Sequence, residues 1–306
     1  MDAIIAPIDR TLLKAELTPD KCLRKTNYGN REIYSVTCHN APNVLQEIGR
    51  LREISFREAG GGTGKAVDLD EYDLCEVPYR QLLVWDNDEE EIVGGYRYLE
   101  GSVIPVKDGV PQIATSKLFQ LSPKFVQKYL PKTIELGRSF IQPNYQSATD
   151  LRKGLFSLDN LWDGLGALVV HNPDVEYFFG KITMYTSYNV TARDYLLQFM
   201  NLYFRDEEQL VRPVEPVHLV TDLNEIDAYL NGLPLEEAFK ATNKKVRELG
   251  ENIPPLIGAY IKLSSTMKTF GTAINEHFGD VEETGILIKI SDIYEDKKSR
   301  HVTLSL

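Results

Sequence analysis

The stretch RLREISFREAGGGTGKAVDLDEYD at residues 50–73 decides the fold, because it joins a helical pattern to an acidic turn through a run of glycines. Arg52 lies within the helical pattern, and Asp70 and Asp73 follow the glycines. A charged side chain on a buried face is costly unless it is paired. The stretch therefore predicts that Arg52 and the two aspartates meet either each other or a substrate.

Two later segments, GGYRYL at 94–99 and ELGRSF at 135–140, have the pattern of strands and add Arg97, Glu135 and Arg138 to this charged set. Side chains three positions apart on a regular strand point to opposite faces. Glu135 and Arg138 can share a face only if the strand bends between them, and Gly137 is the predicted place for a bulge. Two interpretations stay open here, a structural ion-pair network and a substrate site.

Hydrophobic periodicity predicts alternating strands and helices along the rest of the chain. The predicted strands are 32–38, 80–86, 91–99, 133–141, 176–185, LIGAYIKLS at 256–264 and GILIKIS at 285–291. The predicted helices are 42–59, 147–171, 191–204 and 235–249. This order is typical of an α/β fold with a mixed central sheet and helices on both faces.

Length and composition favour one elaborated domain. The chain has 306 residues, of which 42% are hydrophobic and 26% charged, enough for a sizeable core. We find no linker rich in proline, glycine or serine. The predicted organisation is a single domain over 1–306, with an N-terminal extension at 1–30 and a C-terminal part at 205–306 that carries extra helices and late strands.

The cysteines and the N-terminus favour a cytoplasmic protein. Three cysteines, an odd number without metal-ligand spacing, indicate reduced thiols rather than disulfides. Asp2, Asp9 and Arg10 interrupt the short apolar run near the N-terminus, unlike a signal peptide. No stretch reaches the roughly 18 apolar residues that a membrane span needs.

The segment GGGTGK at 60–65 resembles a phosphate-binding loop but departs from its pattern. That motif needs four residues between its first glycine and Gly-Lys, whereas Gly60 and Gly64 have three between them. A helix precedes the segment instead of following it. We therefore expect a glycine-hinged flap over the substrate rather than a nucleotide site.

Several other functions are disfavoured. Five histidines are scattered without metal-ligand spacing, so no metal site is predicted. The sequence has no Gly-x-Ser-x-Gly elbow of a serine hydrolase. A net charge of -11 argues against nucleic-acid binding, which needs a concentrated positive surface.

The ordered motifs resemble a known family. Asp70-x-x-Asp73, then Gly-Gly-Tyr-Arg ending at Arg97, then Glu-x-x-Arg-Ser-Phe from Glu135 is similar to the acyl-homoserine-lactone synthase pattern. It is still more similar to the ornithine-lipid and glycine-lipid N-acyltransferases, often labelled hemolysins, of the wider GNAT superfamily. The resemblance runs from about Pro7 to residue 279. It implies a GNAT-like (acyl-CoA N-acyltransferase) fold and an acyltransferase activity.

The resemblance also implies the substrates. A long, 3-hydroxylated fatty acyl chain would move from acyl carrier protein to the amine of glycine or ornithine in aminolipid biosynthesis, with no tightly bound cofactor. After Phe140 the sequence IQPNYQSATD lacks the glycines that usually cradle the pyrophosphate of coenzyme A, and Pro143 removes a donor. A helix start near Ser147 could hold the single phosphate of a carrier-bound phosphopantetheine. Acyl-CoA stays open as the alternative donor.

An acidic carrier protein needs a local basic patch on this acidic chain. Three groups of basic residues are candidates, with a solvated helix face as the alternative for each. These groups are Lys124, Lys128 and Lys132; Arg152 and Lys153; and Lys240, Lys244, Lys245 and Arg247.

The chemistry required, attack of an amine on a thioester, gives the charged residues candidate roles. Glu135 is the candidate general base, because a carboxylate in a closed cleft can take up a proton near neutral pH. Arg138 is expected to orient Glu135 or the pantetheine arm. Arg97 or Arg52 is expected to hold the acceptor carboxylate as a two-point clamp.

The remaining candidates support these groups. Asp70 and Asp73 are expected to fix the arginines rather than react. Backbone N–H groups near Ser139 and Phe140 are candidates for the oxyanion hole. Apolar residues of the following helix, for which a core stripe is the favoured interpretation, are candidates for an acyl tunnel: Leu155, Phe156, Leu161 and Trp162.

Two rival functions belong to different classes. An acyl-homoserine-lactone-type synthase would use S-adenosylmethionine as the acceptor, but the long C-terminal part and GGGTGK disfavour it. A non-enzymatic, hemolysin-like lipid-binding protein is disfavoured by the absence of a signal peptide and of a membrane-inserting amphipathic repeat. A lipid product implies transient contact with the surface of the inner membrane.

Overall fold

The computed structural model describes residues 1–146, 154 and 156–302. The strands in this part of the chain are β1 (Cys22–Lys25), β2 (Arg31–Val36), β3 (Arg80–Asp86), β4 (Glu91–Glu100), β5 (Val106–Lys107), β6 (Val110–Pro111), β7 (Phe119–Leu121), β8 (Thr133–Ile141), β9 (Tyr177–Met184), β10 (Val211–Pro213), β11 (Lys268–Asn275) and β12 (Val281–Lys289). The α-helices are α1 (Arg10–Glu16), α2 (Pro42–Glu58), α3 (Glu71–Leu74), α4 (Ser157–His171), α5 (Val190–Tyr203), α6 (Leu223–Leu230), α7 (Leu235–Glu248), α8 (Pro255–Ile261) and α9 (Glu295–His301).

Contacts within the chain define two compact units. The first unit consists of Met1–Ile104, Pro131–Glu176 and Tyr294–Leu306, and the second of Pro105–Leu130 and Tyr177–Ile293. Each unit is assembled from separate stretches of chain, so the division does not by itself test whether residues 1–306 make one domain. The single domain stays a prediction.

The first unit contains an antiparallel sheet in the strand order β1-β2-β3-β4-β8. In this sheet Arg97 of β4 lies opposite Gln81 of β3 and opposite Gly137 of β8. Residues directly opposite each other in an antiparallel pair point to the same face. Gln81 and Arg97 therefore project from the same face of the sheet.

Helices cover both faces of this sheet, as predicted. Arg52 of α2 donates a hydrogen bond to the side chain of Gln81. A Cβ placed on Gly164 of α4 would lie 2.9 Å from the side chain of Leu82. Because Gln81 and Leu82 are neighbours on one strand, they point to opposite faces. Helices α2 and α4 therefore pack on opposite faces.

Helix α2 forms where the sequence predicted it. Pro42 occupies its first turn, where the missing N–H costs nothing, and Gly60 follows its end with a φ of +92°. Leu45, Ile48 and other apolar residues at helical spacing are buried. Arg52 is buried on the same helix, so a charge enters the protein interior along with the apolar face.

Strand β8 contains the predicted bulge, one residue beyond Gly137. Gly95 pairs with Phe140 and Arg97 with Gly137, so Arg138 and Ser139 together lie opposite the single residue between Gly95 and Arg97. Arg138 has a φ of +50°, in the left-handed region. Such a bulge re-aims the side chains that follow it. Glu135 and Arg138 are therefore released from strict alternation.

The second unit contains the antiparallel sheet β9-β12-β11 and the short pairs β7-β10 and β5-β6. The predicted strand LIGAYIKLS at 256–264 is wrong, because Pro255–Ile261 is helix α8. Pro255 starts that helix, and Ile257, Tyr260 and Ile261 are buried at helical spacing. The β preference of isoleucine was overridden by a proline start and a three-to-four-residue period.

Strand β11 was missed by the sequence analysis. Its pairing with β12 shifts between Thr269 and Thr272, and Gly271 in that interval has a φ of +81°. The bulge breaks the two-residue alternation by which a strand is identified. Among the described residues, no helix is both long and apolar enough to span a membrane.

We predict that Gly95→Ala destabilises the protein by about 1–3 kcal/mol, the usual cost of overpacking. An added Cβ at Gly95 would lie 2.3 Å from the carbonyl oxygen of Leu82, and backbone cannot swing aside as a side chain can. Thermal and denaturant unfolding measure the effect. Gly258→Ala in α8 is the control, because its new Cβ would lie 3.8 Å from Ile253 and should be neutral or stabilising. Equal stability of the two variants would contradict the prediction.

Candidate active site

A short helix presents two aspartates towards the sheet of the first unit. Asp70 is the N-cap of α3, where its carboxylate accepts hydrogen bonds from the backbone N–H groups of Tyr72 and Asp73. Asp73 in turn accepts from the N–H of Asp70 at 3.2 Å, which completes a capping box. The local sequence DEYD therefore orients both carboxylates through hydrogen bonds within residues 70–73, independently of any arginine.

Arg97 binds both of these carboxylates. Its Nη1 lies 2.8 Å from Asp70 Oδ2 and 3.1 Å from Asp73 Oδ2. Its guanidinium carbon lies 4.6 Å from the centre of the Tyr79 ring, a cation–π distance. Arg97 is 3% exposed and Asp73 is fully buried. The predicted association of Arg97 with the acidic pair is thus present as a buried network.

Arg52 joins the same network through a residue that the sequence analysis missed. The Gln81 amide nitrogen donates to Asp73 Oδ1 at 2.9 Å, and its oxygen accepts a hydrogen bond from Arg52. Arg52 Nη1 also lies 3.6 Å from Asp73 Oδ2. The signal for Gln81 was a polar residue within the apolar strand RQLLVWD.

The pKa values follow from this burial and pairing. Burial opposes ionisation of Asp70, but Arg97, with smaller effects of Arg138 and Arg52, outweighs it and lowers the pKa of Asp70 to about 2. Burial also disfavours the charge on Arg97, yet Asp73 and Asp70 raise its pKa well above the ordinary value. Burial lowers the pKa of Arg52 despite the nearby Asp73. The cluster therefore stabilises an ionised Asp70 beside cationic Arg97.

Arg138 pairs with an aspartate that the sequence analysis also missed. Its Nε lies 2.9 Å and 3.2 Å from the two oxygens of Asp68. Asp68 is 1% exposed, and its N–H donates to the carbonyl of Gly49 on α2. Arg138 has 15% of its side chain exposed, the largest fraction among the three site arginines. The alternation of Asp68 and Asp70 around Leu69 was the only local signal for Asp68.

Glu135 lies on the same face of the sheet as Arg97. It is opposite Leu99 in the pairing of β8 with β4, and Leu99 is two residues from Arg97. Glu135 is 1% exposed. Ser139 lies in the bulge, and Phe140 follows it with its side chain buried. The structure therefore gathers every predicted site residue on or beside one sheet face or its bulge.

The glycine-rich segment is tied to α2 rather than lying open. The buried carboxylate of Glu53 accepts from the N–H groups of Thr63 and Gly64 at 3.0 and 2.8 Å, and from Thr63 Oγ1 at 2.7 Å. Arg57 donates to the same carboxylate at 2.8 Å. Burial raises the pKa of Glu53, but these hydrogen bonds outweigh it and lower the pKa below its usual range. The loop thus surrounds an internal anion.

The other predicted binding groups have varied positions. Ser147, Arg152, Lys153 and Leu155 lie outside the described residues. Phe156 stacks on Tyr28 at 4.7 Å between ring centres, Leu161 is 1% exposed in the core, and Trp162 is half-buried.

Most of the predicted basic groups already have partners. Lys124, Lys132, Lys240 and Lys244 form ion pairs with glutamates. Lys245 lies 5.0 Å from the ring of Tyr195.

Asp70 gives a pH prediction with a defined sign. Its folded-state pKa, about 2, is below its ordinary value of 3.8. Its ionised form therefore stabilises the fold fully above pH 3.8, and this stabilisation is lost as the pH falls through about 2. The shift corresponds to about 2 kcal/mol at 1.36 kcal/mol per pKa unit.

We expect the stability difference between the wild type and Asp70→Asn to shrink by that amount between pH 6 and pH 2. Urea unfolding at each pH measures it. Asp174→Asn, at an exposed position, should differ little from the wild type throughout. A difference for Asp70→Asn that stays constant with pH would show that Arg97 does not hold this carboxylate in the ionised form.

Comparisons with known proteins agree with the predicted family. Residues 51–153 match the acetyltransferase (GNAT) domain family. A glycine N(alpha)-acyltransferase of Bacteroides thetaiotaomicron is 55% identical over 303 residues, which cover 99% of this chain and 90% of that protein. A second one, from Phocaeicola vulgatus, is 54% identical over 303 residues, covering 99% and 93%.

Two solved structures of acyl-homoserine-lactone synthases are also similar. LasI has a TM-score of 0.35 at 15% identity, covering 51% of this chain and 74% of its own. BjaI, a coenzyme-A-dependent synthase with MTA, has a TM-score of 0.38 at 12% identity, covering 90% and 91%. The sequence relatives confirm the predicted GNAT-like α/β fold and enzyme class. With more than half of its residues identical over almost its whole length, the chain belongs to the glycine N(alpha)-acyltransferase family of GNAT acyltransferases.

Proposed function

We propose that this enzyme transfers a long, 3-hydroxylated fatty acyl chain from acyl carrier protein to the amine of glycine. The observation that carries the proposal is the 55% identity to a protein named glycine N(alpha)-acyltransferase. In the reaction a C–N bond forms and the C–S bond of the thioester breaks. The amine loses a proton and the pantetheine sulfur gains one. The product, an N-acylglycine, would serve aminolipid synthesis.

Glycine is favoured over ornithine as the acceptor on the names of the relatives alone. Both amino acids carry an α-carboxylate, which an arginine-rich face would bind equally well. The site geometry therefore supports an amino acid acceptor of either kind, and the relatives support glycine. An amphiphilic product also supports transient contact of the enzyme with the inner membrane surface.

Glu135 is the proposed general base. Its burial on the face that also carries Arg97 places a carboxylate in a region where water is scarce. A positioned carboxylate can accept the amine proton as the C–N bond forms. Arg97 and Arg138 supply positive charge near the same face, which would favour binding of an anionic amino acid.

The three site arginines differ in exposure, and this difference suggests which of them contacts the substrate. Arg52 is fully buried and Arg97 is 3% exposed, and both contact Asp73. Arg138 has the most exposed side chain of the three, at 15%. We therefore assign the contact with the acceptor carboxylate to Arg138, and we assign to Arg97 and Arg52 the support of the acidic pair. A direct clamp by Arg97 is the competing assignment.

The bulge supports the proposed oxyanion hole. Arg138 and Ser139 interrupt the regular pairing of β8 with β4. Backbone N–H groups at such a bulge can point away from the neighbouring strand. Donors near Ser139 and Phe140 would stabilise the negative charge that develops on the thioester oxygen.

The carrier-bound donor is favoured over acyl-CoA by the segment after β8. This segment begins with a short turn at Pro143–Tyr145, in which Pro143 has no N–H to offer a pyrophosphate. It also lacks the glycines that cradle coenzyme A in related folds. One phosphate is easier to accommodate there than two.

The proposal is tested with purified enzyme, 3-hydroxyacyl carrier protein or the matching acyl-CoA, and single amino acids, with products identified by mass. We expect N-acylglycine from the carrier thioester, with glycine used better than ornithine. Equal use of both donors would overturn the carrier assignment. Product only with ornithine, or only with S-adenosylmethionine, would overturn the glycine assignment.

Glu135→Gln should lower turnover by roughly 10²–10⁴-fold, the usual effect of losing a general base. The variant keeps the side-chain shape, so its melting temperature should stay close to that of the wild type. Glu100→Gln at the end of β4 is the control for a carboxylate outside the proposed site. Near-normal turnover by Glu135→Gln would show that Glu135 is not the general base.

Arg138→Lys should raise the KM for glycine by roughly tenfold, because a lysine cannot make the two-point contact of a guanidinium. Some stability should also be lost, because Arg138 is a partner of the buried carboxylate of Asp68, so the glycine KM is the measurement that identifies this role. Arg97→Lys should leave the glycine KM close to that of the wild type and lower the free energy of unfolding by about 1–3 kcal/mol, the cost of leaving a buried polar partner unsatisfied. Acceptor kinetics and melts separate the two roles. A stable Arg97→Lys variant with a raised glycine KM would return the clamp to Arg97.

A further inference from the structure

A cleft of about 360 Å³ opens in the second unit, beside the end of α5, the loop after it and strands β10 and β11. Its lining includes Leu202, Arg205, Asp206, Arg212 and Phe270. None of the roles assigned above uses this cleft. Its two arginines distinguish it from the rest of an acidic chain.

Arg205 brings a charge to the cleft without a counter-ion. It is exposed, and no carboxylate among the described residues pairs with it. Its backbone is nevertheless held in place, because it bridges to Thr269, whose N–H donates to Phe204 at 2.7 Å. The guanidinium therefore projects from a fixed point of the fold.

Arg212 is oriented but not neutralised. It lies on β10 opposite Gln120 of β7. Its Nε and Nη2 both donate to the amide oxygen of Gln120, at 2.9 and 2.6 Å. An amide fixes the direction of a guanidinium without cancelling its charge, which leaves the charge for an external anion.

The acidic residue in the cleft is already satisfied from within the protein. Asp206 has 5% of its side chain exposed. It accepts from the N–H groups of Glu208 and Leu210, and Lys268 lies 3.8 Å away. Its negative charge is thus turned inward, away from an approaching ligand. Leu202, 46% exposed, adds an apolar contact at the edge.

The basic groups singled out from the sequence are less suited to an acidic partner. Lys124 pairs with Glu208 at 2.5 Å and Lys240 with Glu237 at 3.1 Å. Lys128 and Arg247 are exposed and lack a carboxylate partner in the described parts of the chain, but neither lines this cleft. Binding of an acidic protein depends on basic side chains without counter-ions, because the net charge of -11 on the whole chain repels acidic proteins.

We propose that the cleft around Arg205 and Arg212 is the docking site for the acidic surface of the acyl carrier protein. The inference rests on the proposed carrier-bound donor. The guanidiniums of Arg205 and Arg212 would contact carboxylates of the carrier, and Leu202 would pack against an apolar side chain between them. Interfaces of this kind gain association rate and specificity from charge complementarity.

The test is the double charge reversal Arg205→Glu with Arg212→Glu. We expect the KM for acyl carrier protein to rise at least roughly tenfold, while the kcat and KM for the same acyl group on free pantetheine stay unchanged. The KM for acyl carrier protein should depend less on salt concentration in the variant than in the wild type, because the variant has fewer attractive charge contacts that salt can screen. Circular dichroism and melting confirm that the variant is folded.

The control is Lys25→Glu with Lys107→Glu, which makes the same change in net charge at two exposed lysines that do not line the cleft. An equal rise in KM for this control would show a general charge effect and overturn the docking site. An unchanged KM in the arginine variant would overturn it as well and leave the carrier-bound donor standing. If the wild type used free pantetheine thioesters as well as the carrier, both the docking site and the proposed donor would fall.

Discussion

The buried carboxylate of Asp73 is the contact on which the arrangement of the site depends. It is fully buried and binds Arg97 at 3.1 Å, Gln81 at 2.9 Å and, at 3.6 Å, Arg52. These partners belong to β4, β3 and α2. A carboxylate buried without partners would be strongly unfavourable, so its position requires all three elements to be in place together. The ion pairs thus specify one arrangement of helix, loop and sheet.

Strand β4 must also contain two adjacent glycines just before Arg97. A Cβ on Gly94 would lie 2.3 Å from the carbonyl oxygen of Phe140, and one on Gly95 equally close to that of Leu82. Strand β4 is therefore held against both neighbours at the level just before Arg97. The close approach and the bulge at Arg138 and Ser139 fall at the same level of the sheet. The chain bends there, at the point where the proposed chemistry needs free backbone donors.

The sequence predicted the elements around the site well, because α2, β4 and β8 have clear periods and end at glycine or at polar loops. It also predicted that Arg97 would meet Asp70 and Asp73, through the ordered motifs. It did not predict Asp68 or Gln81 as partners, since their pairing with Arg138 and Arg52 depends on register between segments distant in the chain. The strand predicted at 256–264 failed for a related reason: short apolar runs fit both periods, and packing decides between them.

The glycine-rich loop shows how a local pattern can be shared by different functions. Gly60, Gly62 and Gly64 all have positive φ, a conformation that turns backbone N–H groups inward, as in phosphate-binding nests. Here the anion is the protein's own Glu53. Because Glu53 anchors residues 63 and 64 to α2, and Asp68 is tied to Gly49 on the same helix, the connection is fixed twice before it reaches Asp70. The segment GGGTGK, which the sequence alone predicts to be a flap, is instead hydrogen-bonded to α2. This attachment helps to position Asp70 and Asp73 beside Arg97.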